Sequence, residues 1–247
     1  VSQVSSRELL IAAVADLLAG ARMVAVGASS PIPAAGAMLR RALDAKAGAP
    51  PLRLCVLGSR RHNFFTNGAF ELFDCAAQGR IDAFFLGGGE IDGQGNINLV
   101  GLGDYLKPDV RWPGSFGSAF LYYLVPRVIL FREEHSPRSL VEKVGFVSAP
   151  GVSEGLARPG GPYALLTSRA LFSFDRARAR FRLKSLHPGN EADAVRAATG
   201  FAYDEGAATP ATVPPAAAAL ALMRGRVREE LAESYPAFAQ SWAAEEA

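Results

Sequence analysis

The chain has 247 residues, 49% of them apolar, and a formal net charge of +2. That length and apolar content suit one large domain with a sizeable core. The near-neutral charge gives no reason to expect nucleic acid or an anionic membrane surface as a partner.

The two cysteines, Cys55 and Cys75, lack CxxC spacing, and His62, His135 and His187 make no HExxH-type pattern. No metal site is expected from them. Both thiols are expected to be buried and reduced, in a cytoplasmic protein. The N-terminal stretch has no basic segment followed by an apolar core, so no signal peptide is expected. The best apolar run, Ala119 to Phe131, is cut by Pro126 and Arg127 and is too short to span a bilayer.

In chain order, Ser5 and Glu8 form an S-x-x-E capping box ahead of an amphipathic helix that ends at Gly20. Met23 to Val26 reads as a strand, followed by Gly27-Ala28-Ser29-Ser30. Pro31 and Pro33 stand before a helix expected over about Ala34 to Ala45. Strand, glycine turn and helix in this order open an α/β unit, whose ligand end is the carboxyl end of its strands. The Gly27 loop is not a GxGxxG fingerprint, so no dinucleotide site is read here.

Leu52 to Leu57 is a second strand, leading into the polar loop Gly58 to Asn63, and Glu71 to Gln78 a short helix. Ala83 to Leu86 is a third strand, and Leu124 to Phe131 a further one, interrupted by Pro126. Tyr163 to Thr167, Leu171 to Phe174 and Phe181 to Leu186 read as antiparallel strands. The alternating Arg176, Arg178, Arg180 and Arg182 read as a strand's solvent face. Asn190 is placed to cap a helix over Glu191 to Thr199. From about residue 210 a Pro-rich linker leads to a C-terminal helical extension of the single domain expected over 1–247.

The stretch from Phe84 to Ala119 stands out. Gly87-Gly88-Gly89 is followed at once by Glu90, then by Asp92-Gly93 and Gly95-Asn96 turns, and it closes on Gly114-Ser115-Phe116-Gly117-Ser118. Two glycine loops around a polar segment can be tight turns. They can also be places where a ligand approaches the backbone and amides hold an anion or oxyanion.

These residues resemble the β subunit of class I coenzyme A transferases, most closely the glutaconate CoA-transferase type. The matching positions are Gly88-Gly89-Glu90-Ile91-Asp92, Gly95-Asn96-Ile97-Asn98, Gly103-Asp104-Tyr105 and Gly114 to Ser118. Glu134-His135, Phe146 to Gly151 and Thr199-Gly200-Phe201 continue in register, so nearly the whole chain is covered. The resemblance implies an open three-layer α/β/α sheet. It implies a homologous α subunit in an αβ or α2β2 enzyme, and an acyl-CoA thioester as substrate. Coenzyme A then enters as part of the substrate, and no permanently bound cofactor is implied. The family's covalent route uses a β-subunit glutamate that becomes an acyl anhydride and then a glutamyl-CoA thioester. Gly114, Ser115, Phe116, Gly117 and Ser118 match its segment near the thioester and oxyanion.

The nucleophilic glutamate closes the family's second strand. Here that strand end reads Cys55-Val56-Leu57-Gly58-Ser59. Leu57 takes the glutamate position in the best register, and a shift of one brings Val56 or Gly58, so no carboxylate is supplied. Transfer and hydrolysis are both open on this reading. A ring-opening β-keto acyl-CoA hydrolase with its carboxylate in the α subunit is one alternative. A non-catalytic CoA-ester-binding partner is another. Glu90 is the candidate base of this chain, with backbone capping as its plain alternative. Gly88, Gly89 and Ser59 join the substrate-binding candidates. His62 reads as polar lining and His135 as structural. Arg60, Arg61, Arg111 and Arg132 are equivalent candidates for an acyl clamp.

Overall fold

The structure is a computed structural model and describes residues 4–245. The chain runs α1 (Ser6–Leu17), β1 (Met23–Val26), α2 (Pro31–Lys46), β2 (Arg53–Val56), α3 (Ala69–Ala77) and β3 (Ala83–Leu86). Two short pairs follow, β4 (Glu90–Ile91) with β5 (Ile97–Asn98), and β6 (Gly101–Gly103) with β7 (Pro108–Arg111). Then come α4 (Ser118–Leu124), β8 (Arg127–Arg132), β9 (Pro162–Thr167), β10 (Ala170–Asp175), β11 (Arg180–Leu186) and α5 (Ala192–Ala197). The chain closes with α6 (Ala217–Leu222), a π turn (Met223–Val227), α7 (Arg228–Leu231) and α8 (Pro236–Ala244).

Two compact units emerge. The first takes the residues up to Leu72, Arg80–Phe85, and those from Val213 on; the second takes Phe73–Gly79 and Leu86–Thr212. In the first, β1 lies parallel to both β2 and β3. All four residues of β1 and of β3 are buried, as continuous apolar runs in parallel sheets require. The α1 capping box forms as the sequence implies: Ser5 Oγ accepts the Glu8 amide at 3.2 Å and Glu8 accepts the Ser5 amide at 2.9 Å. Helices α1 and α2 cross closely at Gly36, where a Cβ would stand 2.3 Å from a Val14 methyl. Glu8, fully buried, holds Arg224 of the C-terminal segment in a two-point ion pair at 2.6 and 2.9 Å.

In the second unit β8 and β9 are parallel, and β9, β10 and β11 antiparallel. Phe172, Phe181 and Tyr203 pack edge to face in its core. Buried His135 bridges Thr167 at 2.8 Å and Thr199 at 2.9 Å. Its structural reading therefore fits its position.

Several local expectations are corrected. Helix α2 starts at Pro31, three residues early, because Pro in a first turn gives up only amides that lack helical partners anyway. Leu124 ends a helix instead of opening a strand. Val125, ahead of Pro126, is forced to extended backbone (φ −75°, ψ 124°), which separates α4 from β8. Asn190 caps nothing: Glu191 is the N-cap of α5, and the Asn190 amide donates to the His187 and Pro188 carbonyls. Arg176 and Arg178 sit in the turn before β11, and only Arg180 and Arg182 lie on it. The C-terminal helix is interrupted after Leu231 and restarts at Pro236. Cys55 is buried, whereas Cys75 is half-buried. Among the described residues no helix is long and apolar enough to cross a membrane, and no group of His, Cys, Asp and Glu could hold a metal ion.

Candidate active site

In the first unit, parallel pairing of β1 with β2 sets Val26 beside Val56. The loops Gly27–Ser30 and Leu57–His62 therefore leave the same end of the sheet, its carboxyl end. Leu57 is fixed there by its amide, which donates to the Val26 carbonyl at 2.9 Å. Its side chain is hydrocarbon. Ser59, 4% exposed, donates its hydroxyl to Glu233 at 2.6 Å and accepts the amides of Arg61 and His62 at 3.1 and 2.8 Å. The His62 ring faces the Glu230 carboxylate at 2.8 Å. Burial lowers its pKa, and Glu230 pulls the other way. Ser59 and His62 thus turn to different acids and do not form a nucleophile and base pair.

Glu233 is the carboxylate that reaches the Ser59 to Arg61 part of this loop. It accepts the hydroxyls of Ser234 and Ser59 and the amides of Arg60 and Arg61. The Ser234 and Ser59 bonds, with the two amides, outweigh burial and bring its pKa down to about 2. A carboxylate so supplied with donors is a poor base and a poor nucleophile. It holds the loop.

In the second unit, Glu90 on β4 sits across from Asn98 on β5. One Glu90 oxygen accepts the Asn98 side-chain amide at 2.7 Å and the Gly145 backbone amide at 2.9 Å, and the residue is 9% exposed. Asn98 also donates to the Gly101 carbonyl at 2.9 Å. Glu90 is therefore held in one orientation, as either a base or a structural clamp would be. A crevice of about 40 Å³ beside Gly101, Gly145 and Arg111 is far too small for a thioester. Gly88 and Gly89 have packing reasons to be glycine: added Cβ atoms would lie 2.5 Å from Ile97 and 2.0 Å from the Trp112 ring. Arg132 donates to the Gly88 carbonyl and pairs with Glu134, so of the four arginines it is already committed. Asp92 accepts the amides of Gln94 and Asn96 and so shapes the turn it begins.

The loop from Gly114 to Ser118 has unusual backbone. Gly114 has φ +101° in open space, and Phe116, which is not glycine, has φ +32°. Phe116 is 83% exposed, so burial does not compensate this strain. Its ring stands 5.8 Å from that of Phe73, whose ring also fills the space over Gly117. The amide and hydroxyl of Ser118 both donate to the Ser115 carbonyl, which closes the loop. The sequence-marked residues thus fall into three clusters, Ser59 in the first unit, and Gly88–Glu90 and Gly114–Ser118 in the second. Glu230, Glu233 and Tyr235 were missed, because their partners lie far away in sequence. A cleft of about 590 Å³, lined in part by Gln94, Lys143 and Arg178, holds none of the expected site residues.

The coenzyme A transferase family model matches residues 57–198. The chain is 37% identical over 131 residues to the B-type subunit of 3-oxoadipate CoA-transferase from Pseudomonas knackmussii, a match covering 50% of each. It is 31% identical over 138 residues to the B-type subunit of glutaconate CoA-transferase from Acidaminococcus fermentans, covering 53% of this chain and 51% of that protein. These matches span about half the length of the curated relatives. The solved glutaconate coenzyme A-transferase from Acidaminococcus fermentans shares the fold at a TM-score of 0.77 and 23% identity, over 91% of this chain and 95% of that one. The decarboxylase AibA/AibB matches at 26% identity and a TM-score of 0.76, over 90% of this chain and 94% of that one. The strand-end loops and glycine segment described above thus sit in a mixed α/β chain that belongs to the coenzyme A transferase family.

Proposed function

We propose that this chain is the β-type subunit of a two-chain enzyme acting on an acyl-CoA thioester, with water as the attacking group. The pairing with a homologous α subunit, as αβ or α2β2, is carried over from relatives that are themselves B-type subunits and from a neighbour named as the pair AibA/AibB. The reaction adds water across the thioester carbonyl. It releases a carboxylic acid and the thiol of coenzyme A, and it needs a base and an oxyanion site. On this reading Glu90 is the base. Gly88 and Gly89, packed under Ile97 and Trp112, act by setting the backbone that leads into Glu90. The Gly114, Ser115, Phe116, Gly117 and Ser118 loop is the second unit's candidate contact with the thioester, and Ser59 with its loop is the first unit's own candidate.

The observation that carries the reading is Leu57. Its side chain cannot form an acyl anhydride, and of the two carboxylates that reach its loop Glu233 is tied to four donors and Glu230 to the His62 ring and Arg41. Intact-mass measurement of this chain, after the assembled complex has been incubated with a panel of acyl-CoA esters, tests it. No coenzyme A adduct is expected on the chain. A glutamyl-CoA thioester on any of its glutamates overturns the reading and restores covalent transfer.

A second reading is favoured by the way Asn98 and Gly145 pin Glu90. There the catalytic carboxylate belongs to the α subunit, as in a ring-opening β-keto acyl-CoA hydrolase. This chain then supplies binding surface alone.

A further inference from the structure

Three side chains from the end of α7 to the start of α8 reach the two loops at the carboxyl ends of β1 and β2. Tyr235 donates its hydroxyl to the Gly27 carbonyl at 3.2 Å and accepts the Ser30 amide at 3.4 Å. Glu230 stands between the His62 ring and Arg41 of α2. Glu233 accepts Ser59 Oγ at 2.6 Å and the Arg60 amide at 2.8 Å. Glu233 itself is exposed, so packing does not explain its place. Its carboxylate gathers donors that a polar loop otherwise leaves to water. Ser59 then passes the constraint on by accepting the next two amides.

We infer that the segment from Glu230 to Tyr235, where α7 gives way to α8, is a positioning brace for the strand-end loops, with Glu233 as the residue that sets the Leu57–His62 loop. The catalytic part of this inference rests on the proposal that the loop lines the thioester site. The brace itself does not. Held loops keep reacting groups in near-attack geometry, and a displacement of about 1 Å can cost about 100-fold in rate.

The test uses the assembled complex with Glu233→Ala, Glu233→Gln and the control Glu245→Ala, which removes the Arg7–Glu245 pair elsewhere in the C-terminal segment. Hydrogen exchange is read at the amides of Arg60, Arg61 and His62. Glu233→Ala is expected to speed exchange there by about tenfold or more. Glu233→Gln, which keeps one acceptor oxygen, is expected to fall between it and wild type. Glu245→Ala is expected to leave these amides unchanged. Turnover of acyl-CoA is expected to fall in kcat by about tenfold to 100-fold in Glu233→Ala, with KM within about threefold, and to recover in part with Gln. Unchanged exchange at 60–62 overturns the brace. Faster exchange with normal kcat overturns the positioning role. If the wild-type complex turns over no acyl-CoA, the proposed function fails, while the exchange measurement still decides the brace.

Discussion

Leu57, Glu90 and Glu233 show how little a residue type says apart from its partners. Two of them are carboxylates near proposed site loops, yet their surroundings differ. Glu233 is spread over four donors and held near pKa 2, which leaves it little basicity. Glu90 is held through one oxygen by Asn98 and Gly145 in a nearly closed place. Glutamine at position 90 can still accept both bonds through its carbonyl, so Glu90→Gln removes the charge while keeping the clamp. If Glu90 is the base, this variant loses about 100- to 10,000-fold in kcat at unchanged melting temperature. Steady-state kinetics beside a thermal melt check it, and near-normal kcat assigns the base to the α subunit. Gly89 gives the converse lesson. The sequence marks it for ligand approach, whereas the Trp112 ring occupies the space a side chain would need.

At the scale of elements, the Glu8–Arg224 pair joins the first helix to the C-terminal segment across 216 residues. Burial alone would raise the Glu8 carboxyl, but the Arg224 bonds and the Ser5 amide bring it below its ordinary value. Glu8→Ala also removes half of the capping box. Removing one partner of a buried pair leaves the other uncompensated, so a loss of about 3 kcal/mol is expected in urea unfolding. Glu8→Gln is expected to lose less. What the sequence showed of such elements follows their range. Met23–Val26 and Ala83–Leu86 were legible to the residue, as short apolar runs between turn signals. Helix α4 was not, because its apolar residues run straight into β8 with only Pro126 to mark the break. Ser5 and Glu8 announce their bond at a spacing of three. Ser59 and Glu233, 174 residues apart, leave no local trace. The glycine segment was legible by its residue types, but its strained Phe116 was not, since backbone dihedrals outside glycine have no clear sequence signal.

For the molecule as a whole, a buried histidine and two hydrogen-bonded carboxylates set a pH profile. Burial, then Arg169 and His187, depress the His135 pKa from 6.5 to about 4. The unfolded chain therefore binds the extra proton first. The stability from neutral His135 is complete above about pH 6.5 and is lost as pH falls from there to about 4. A shift of this size corresponds to about 3 kcal/mol. The carboxyls of Glu134 and Glu233, both near pKa 2, act in a lower window. Their contribution is full above about 4.5 and is lost toward about 2. Urea midpoints measured from pH 7 to 4 should fall for wild type and fall less for His135→Gln. Parallel profiles for the two proteins would remove His135 as the cause.

The first unit is interrupted in sequence: β3 ends near residue 86, and the helices that complete the unit begin only after residue 213. On a ribosome adding about 5–20 residues per second, that gap lasts roughly 6–25 s. Throughout it α2 has been made, while α6, α7 and the acids Glu230 and Glu233 have not. The nascent chain thus carries an uncovered helix face and two loose loops while the Leu86–Thr212 part of the second unit is being synthesised. Cellular holding factors that protect emerging chains would have their longest opportunity in this interval. A circular permutant that starts near residue 213 would make the closing helices first and shorten the delay. The Arg7–Glu245 pair at 2.9 Å shows that the two described ends lie close enough for a short linker to join them.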